Sequence, residues 1–496
     1  MNDRNAADRV IQDLRATADA AWAGARLPSV RELMTRHGVS PVTVAAAVRV
    51  LVQEGLVETR PGQGTFVASR TSQARQAGDL SWQTVALGAG RGGEEELQAL
   101  LALPPVGAIP LSGGYLDPEL QPTAALGAAL ARAARQPAAW QRGPAEGRAD
   151  LRAWFAREIA QSAGRGTGSA GGGRGRSRGT GGSGPEWGAG GSGSRGGLRA
   201  DDMIICPGGQ AALSGAFRAL ADPGDTLLVE SPTYLGALAA ARAAGLRVVP
   251  VPADTDGVLP EQLAAAFRRT GARLFYCQPL HANPTGATLA AHRRGEVLAA
   301  VREAGAFLIE DDYARDLTID GEPPAPLAAE DPDGHVVYVR SLTKSVAPGL
   351  RIAAIGAKGP AGARLRAVRL LDELFVAGPL QQAAIEFVTS PAWDRHRRAL
   401  RTELKARREA LLAALRRRLP LDHEPVPRGG LHLWVRLDDG IDDVALANAA
   451  AANGVVVFPG RSWFAAEAPA PHLRLTYAAA PPELMDEAVR RLAAAM

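Results

Sequence analysis

From about Ile109 to Met496, short apolar runs alternate with Ala/Leu/Arg-rich stretches of helical character. Met203-Ile-Ile-Cys206, Leu274-Phe-Tyr-Cys277, Phe307-Leu-Ile309 and Val336-Val-Tyr-Val339 have no polar face. A strand of that kind must be covered on both sides, and helices between successive strands supply the cover. The pattern therefore predicts a mostly parallel sheet covered by helices. One segment breaks the alternation: half of the 34 residues from Gly164 to Gly197 are Gly, with five Arg and a single Glu. Such a stretch buries too little apolar surface to offset its ordering entropy, which predicts a disordered surface insertion, a loop expansion of small energetic cost.

At 496 residues the chain is too long for one core and implies two or three domains. Residues 1–68 form a compact basic-apolar unit, 69–108 read as a linker with one short helix around 94–103, and 109–496 carry the sheet pattern. The charges nearly balance, 56 basic against 52 acidic, so net charge gives little weight to nucleic acid. Cys206 and Cys277 are the only cysteines, which leaves neither a disulfide framework nor a metal-ligand cluster to expect. No apolar run approaches the roughly 18 residues that span a bilayer. The N-terminus, with Asp3, Asp8 and Asp13 among its arginines, lacks a signal-peptide core. A cytoplasmic protein without membrane or metal is expected.

The first unit is punctuated for helices. Ser29-Val-Arg-Glu32 has capping-box spacing, and Gly38 suits the left-handed residue that ends a helix. Ser40 as N-cap and Pro41 as first helical residue start another, with Val44, Val48 and Leu51 along its inner face. Leu56–Thr59, Pro61-Gly-Gln-Gly64 and Thr65-Phe-Val67 then read as a hairpin wing. With Leu27-Pro-Ser-Val-Arg-Glu-Leu33, Glu54-Gly-Leu-Val57 and Arg60-Pro-Gly-Gln-Gly-Thr-Phe-Val67, residues 6–68 resemble the GntR-type winged helix. The resemblance implies binding of double-stranded DNA and places Arg31, Thr43, Arg49, Gln63 and Gly64 against it. The family usually has a basic residue where this chain has Pro41, and the second helix is Ala/Val-rich. Phosphate and shape contacts are therefore expected to carry much of the binding.

Arginine has displaced lysine almost everywhere: 53 Arg stand against Lys344, Lys358 and Lys405. An ammonium can lose its proton and attack a carbonyl, whereas a guanidinium stays charged. Lys344 lies in Ser341-Leu-Thr-Lys344-Ser-Val-Ala-Pro-Gly-Leu-Arg351, flanked by hydroxyls and followed by an arginine, which suggests a Schiff base to a phosphorylated aldehyde. Other motifs fall at the exits of expected strands, where α/β sheets hold ligands. These are Pro207-Gly-Gly-Gln210 at a helix start, Glu230-Ser-Pro-Thr-Tyr234, Asn283-Pro-Thr-Gly286 and Glu310-Asp311-Asp312-Tyr313.

In this order, the motifs resemble the fold-type I, class I aminotransferases over nearly all of Ile109–Met496 except the insertion. The resemblance implies an α/β PLP-dependent transferase fold: a mixed, mostly parallel sheet covered by helices, with a small C-terminal α+β subdomain. It implies pyridoxal 5′-phosphate (PLP) as cofactor, held as an aldimine by Lys344, with Asp311 on the pyridine nitrogen. Tyr313 and Asn283 would bond the ring phenolate oxygen, and Tyr234 would stack on the ring. Gly209, Gln210, Ser341, Thr343 and Arg351 would bind the phosphate. Arg474, in His472-Leu-Arg474-Leu-Thr-Tyr477, would grip a substrate carboxylate. Gly429-Gly-Leu-His-Leu-Trp434 and Val457-Phe-Pro-Gly460 would shape the substrate side. Arg142 stands where the family usually has a tyrosine that reaches the partner subunit's cofactor.

The whole chain resembles the MocR group of transcriptional regulators, which implies a homodimer that senses PLP or an amino compound and changes its grip on DNA. The rival reading is a working aminotransferase with an accessory winged helix, since Lys344, Asp311 and Arg474 are all present.

Overall fold

The computed structural model describes residues 3–21, 24–60, 63–68, 81–87, 94–166, 197–419 and 425–496. The chain divides into two compact units, Met1–Gly90 and Arg91–Met496.

In the first unit, α1 (Asp3–Ala20), α2 (Val30–His37) and α3 (Pro41–Gln53) precede a hairpin of β1 (Val57–Arg60) and β2 (Gly64–Val67). The local signals operate as hydrogen bonds. Ser29 Oγ accepts from the Glu32 amide at 3.3 Å, and Glu32 answers on the Ser29 amide at 2.7 Å. Gly38 takes φ 64°, and Ser40 Oγ caps the Thr43 amide at 3.2 Å. Val44, Val48 and Leu51 are buried against Val10 and Leu14 of α1, with Val57 and Val67 of the hairpin closing the core. Emptying one such position, Leu51→Ala, would cost about 2–5 kcal/mol. Pro61 and Gly62 of the wing turn lie outside the described residues.

Of the stretch expected as linker, 69–80 and 88–93 lie outside the described residues. The remainder holds two helices, Ser81–Leu87 and Glu94–Leu101, the second where a short helix was expected.

The first strand of the second unit is β3 (Ile109–Pro110), followed by β4 (Met203–Cys206), β5 (Thr226–Ser231), β6 (Arg247–Asp254), β7 (Gly257–Val258), β8 (Leu274–Cys277), β9 (Phe307–Asp311), β10 (Val336–Ser341) and β11 (Ala353–Gly356). After these come β12 (His432–Arg436), β13 (Val455–Val456), β14 (Phe458–Pro459) and β15 (His472–Thr476). Eight strands form one sheet in the order β4-β11-β10-β9-β8-β5-β6-β7. The β10/β9, β9/β8, β8/β5 and β5/β6 pairs are parallel, while β11 runs against both neighbours and β7 against β6. Neighbouring residues on one strand serve opposite layers. Leu274 and Tyr276 pack with Leu213 and Phe217 of helix Gly209–Leu220, whereas Phe275 and Cys277 join the core that holds Phe155, Val297 and Phe387. Cover on both faces explains the unbroken apolar runs.

The strands β12, β15 and β14 make a small antiparallel sheet packed with helices Pro391–Arg418 and Met485–Ala493. One boundary needs correction: helix Ala149–Gly166 continues into the start of the glycine-rich stretch expected as disordered from Gly164. Its apolar face, Leu151 and Phe155 among it, is anchored in the core and carries the helix that far. Residues 167–196 of that insertion lie outside the described residues. Among the described residues, no helix is long and apolar enough to cross a membrane, and no group of His, Cys, Asp or Glu could hold a metal ion.

Candidate functional site

Because β5, β8, β9 and β10 are parallel, their C-terminal ends deliver side chains to one edge of the sheet. Asp311, in register with Val339 on β10, is buried there. Its Oδ2 accepts from Tyr276 Oη at 2.7 Å and from Gln278 Nε2 at 2.9 Å. Gln278 is itself fixed, its amide donating to Glu230 at 2.8 Å and its Oε1 accepting from the Asn283 amide at 2.9 Å. Burial pushes the Asp311 carboxyl up to about 6, although the two hydrogen bonds and the nearby Lys344 pull the other way. No protein donor among the described residues reaches Oδ1. A protonated ring nitrogen is a donor of the kind this half-satisfied carboxylate fits.

The start of helix Gly209–Leu220 supplies unpaired amides. Gly208, at φ 95°, has no side chain because a Cβ there would lie 2.6 Å from the Arg351 guanidinium, which donates to the Pro207 carbonyl at 2.9 Å. A Cβ at Gly209 would come within 3.6 Å of Ser341 Cβ, so Ser341 faces the same helix start. Ser341 Oγ accepts from the Thr343 amide at 3.2 Å, and Thr343 Oγ1 is buried with no partner. Amides, hydroxyls and a guanidinium around a helix N-terminus make a cradle that fits a phosphate. Gln210 joins it to Tyr234, whose hydroxyl donates to Gln210 Oε1 at 3.2 Å.

Lys344 follows β10 on a short turn. Its Nζ donates to the Gly114 carbonyl at 2.8 Å and stands 3.7 Å from the centre of the Tyr115 ring. Burial first, then the Arg474 and Arg351 guanidiniums, lower its pKa to about 7, with Asp311 opposing. The amine can thus be a free base at neutral pH.

Arg474 on β15 is buried without a carboxylate partner among the described residues. It donates to the Ser112 carbonyl and, at 3.3 Å, to Asn283 Oδ1, and lies 4.3 Å over the Trp463 ring, while Nε has no partner. Burial lowers its pKa to about 9. A buried cation with unspent donors calls for an anion. Asn283 keeps its Nδ2 protons, whereas the Tyr313 hydroxyl donates to the His281 carbonyl at 2.7 Å. The structure therefore brings Lys344, Asp311, Asn283 and Arg474 together, with Tyr234 and the phosphate cradle beside them.

Sequence reasoning missed Tyr276 and Gln278, which fix Asp311, and also Gly114 and Tyr115; His432 lies in the Gly429–Trp434 segment expected on the substrate side, but its bond to Gly113 was not foreseen. A polar residue within or directly after an apolar strand, as Tyr276 and Gln278 are, was the available signal. A cavity of about 860 Å³ is lined by Gln278, Thr285, Arg294, Trp434, Phe464 and His472 among others, and none of Lys344, Asp311 or Arg474 lines it.

In the first unit, Arg31 on α2 and Arg49 on α3 are exposed and have no acidic partner among the described residues, unlike Arg15, Arg36 and Arg60. Gln63 and Gly64 are exposed on the wing. Thr43 is half-buried, its hydroxyl 2.9 Å from Ser40 Oγ, so it serves the helix cap. Arg26 packs over Gly64, where a Cβ would be 3.3 Å from its Nε, and adds a cation that the sequence did not single out.

A winged helix joined to an aminotransferase-like α/β unit defines a fusion of two known domain types. The chain belongs to the aminotransferase class I and II family, which matches residues 197–492, and residues 3–67 match the gntR family of bacterial regulatory proteins. This combination is that of MocR-type regulators. The chain is similar to the uncharacterized HTH-type transcriptional regulator YdfD of Bacillus subtilis, 26% identical over 95% of this chain and 91% of the relative. It is also similar to the 2-aminoadipate transaminase of Thermus thermophilus, 30% identical over 84% of this chain and 98% of the relative. The crystal structure of LysN, an alpha-aminoadipate aminotransferase of Thermus thermophilus complexed with N-(5′-phosphopyridoxyl)-L-leucine, superimposes with a TM-score of 0.70 at 28% identity. That likeness covers 84% of this chain and 98% of the other. Homologues of this fold thus bind pyridoxal phosphate.

Proposed function

We propose that the protein is a DNA-binding transcriptional regulator that holds pyridoxal 5′-phosphate at Lys344 and senses the cofactor or an amino compound there. The observation that carries this reading is one juxtaposition: the Lys344 amine, poised near pH 7, stands beside a buried Arg474 guanidinium without a carboxylate partner among the described residues. An amino acid presents the two complementary groups, an amine and a carboxylate.

Bound pyridoxal phosphate supplies a reactive aldehyde and a ring that can accept electrons. Asp311 would keep a proton on the ring nitrogen, Asn283 would donate to the ring from Nδ2, and Gly209, Gln210, Ser341, Thr343 and Arg351 would hold the phosphate. Tyr234 would pack against the bound ring, and Tyr313 braces the His281 carbonyl. Lys344 Nζ, a free base near pH 7, would hold the aldehyde group and could take up or give a proton at Nζ. Arg474 orients the ligand carboxylate. Arg31, Arg49 and the wing at Gln63 and Gly64 bind DNA phosphates, with Thr43 holding the start of the recognition helix. The working form is a cytoplasmic homodimer whose two winged helices meet two half-sites.

A second reading, an active aminotransferase with an accessory winged helix, is favoured by the intact set of Lys344, Asp311 and Arg474 and by the likeness to a transaminase. Absorbance of the cofactor-loaded chain and its Lys344→Ala variant, read beside multiple-turnover assays with keto acids, separates the two. A Lys344-dependent band with little turnover supports the regulator. Sustained amino-group transfer without salt-sensitive DNA binding supports the enzyme, and no band refutes both.

A further inference from the structure

Ser112, Gly113 and Gly114 present three consecutive carbonyl oxygens, and each accepts from a different basic side chain of the site. Arg474 donates to Ser112, His432 Nε2 to Gly113 at 3.2 Å, and Lys344 Nζ to Gly114 at 2.8 Å. A carbonyl can only accept, so the imidazole carries its proton on Nε2. Tyr115 follows directly and lays its ring over the Lys344 amine. His432 and Arg474 reach this strap from the same face of the small sheet, since His432 is in register with Thr476 and Trp434 with Arg474.

Both ends of the strap are fastened by backbone. The Leu111 amide donates to Val456, the Thr476 amide to Leu111 and the Asp117 amide to Ala478, each at 2.8 Å. Between them, among the described residues, no amide from Ser112 to Leu116 donates to a backbone carbonyl. The middle of the strap is therefore held by the side chains that would serve a ligand.

We propose that Ser112–Tyr115 competes with the ligand for the site and that His432 is the positioning residue that holds the strap in place. The inference rests on the function proposed above and deepens it. A ligand carboxylate at Arg474 replaces a single neutral carbonyl by a charged acceptor that can engage the guanidinium through two parallel hydrogen bonds. Joining Lys344 to an aldehyde removes a second fastening, and the Gly113 bond to His432 is then the one that remains. Ile109–Pro110 lies directly before the strap in the chain.

Propionate, a carboxylate without an amine, tests the competition on the full chain, with propylamine as control. By calorimetric titration, propionate should bind His432→Leu about three- to tenfold tighter than wild type, as expected for the loss of one competing hydrogen bond. His432→Gln keeps an N–H donor and should restore wild-type affinity. Propionate, but not propylamine, should also speed hydrogen exchange at the Leu111 and Asp117 amides of the wild-type chain, a readout that needs no variant to fold. Unchanged or weaker propionate binding by a folded His432→Leu, or exchange at 111–117 that propionate leaves untouched, overturns the proposal. Propionate requires no aldehyde, so a missing cofactor band would count against the proposed function and leave this test readable.

Discussion

Burial of Lys344, helped by Arg474 and Arg351, sets its amine near pH 7. About half of such groups are free base at pH 7, against about one in 3,000 for a lysine at its ordinary value. The chain contains just three lysines, so trace acetylation with acetic anhydride between pH 5 and 10, read by mass spectrometry, resolves each one. Without cofactor, labelling of Lys344 should rise about tenfold from pH 6 to pH 8 and then level off. Lys405, exposed on helix Pro391–Arg418, serves as reference in the same spectrum. Arg474→Leu removes a repelling cation and should move the midpoint up, whereas Asp311→Asn removes an attracting anion and should move it down. The linkage has a definite sign. A base whose folded value lies below its unfolded one sheds its proton on folding between the two values. Its contribution to stability therefore rises from about pH 7 towards pH 10.5 and is flat below. A labelling midpoint above pH 9 in the wild-type chain would show a hydrated amine and refute the reasoning from burial.

Thr343→Val replaces a buried hydroxyl that has no partner, so unfolding of the cofactor-free protein should be unchanged or about 1 kcal/mol harder. Pyridoxal phosphate affinity, by fluorescence titration, should fall about tenfold in the same variant. Gly208→Ala puts a Cβ at φ 95° against Arg351, and should cost about 1–3 kcal/mol in urea unfolding while weakening phosphate binding. Arg31→Ala and Arg49→Ala should each lower the slope of log affinity against log salt by about one in DNA titrations.

Local rules made much of the first unit legible. Ser29, Gly38 and Ser40 act through bonds three or four residues away and Pro41 through its own fixed φ, so their meaning is present in any short window. The ends of the apolar strands were legible for a related reason: a run buried on both faces must stop where the chain leaves the sheet, and Asp311 and Lys344 stand at those exits. The remainder depends on packing between distant segments. Arg474 meets Ser112 across 362 residues, His432 meets Gly113 across 319, and Lys344 meets Gly114 across 230. No periodicity or motif encodes such pairings. Tyr313 shows the same limit, since its place beside Asp311 was readable but its bond to the His281 carbonyl was not.

A DNA-binding titration of the full chain on its own upstream sequence, with and without pyridoxal phosphate and a panel of amino acids, bears most directly on the coupling of Lys344 to DNA. The expected result is a wild-type affinity that shifts with cofactor or amino compound, and a Lys344→Ala variant that binds the same DNA without responding. Isotherms of the wild type that coincide in every condition, or a Lys344→Ala variant that responds like wild type, would contradict it.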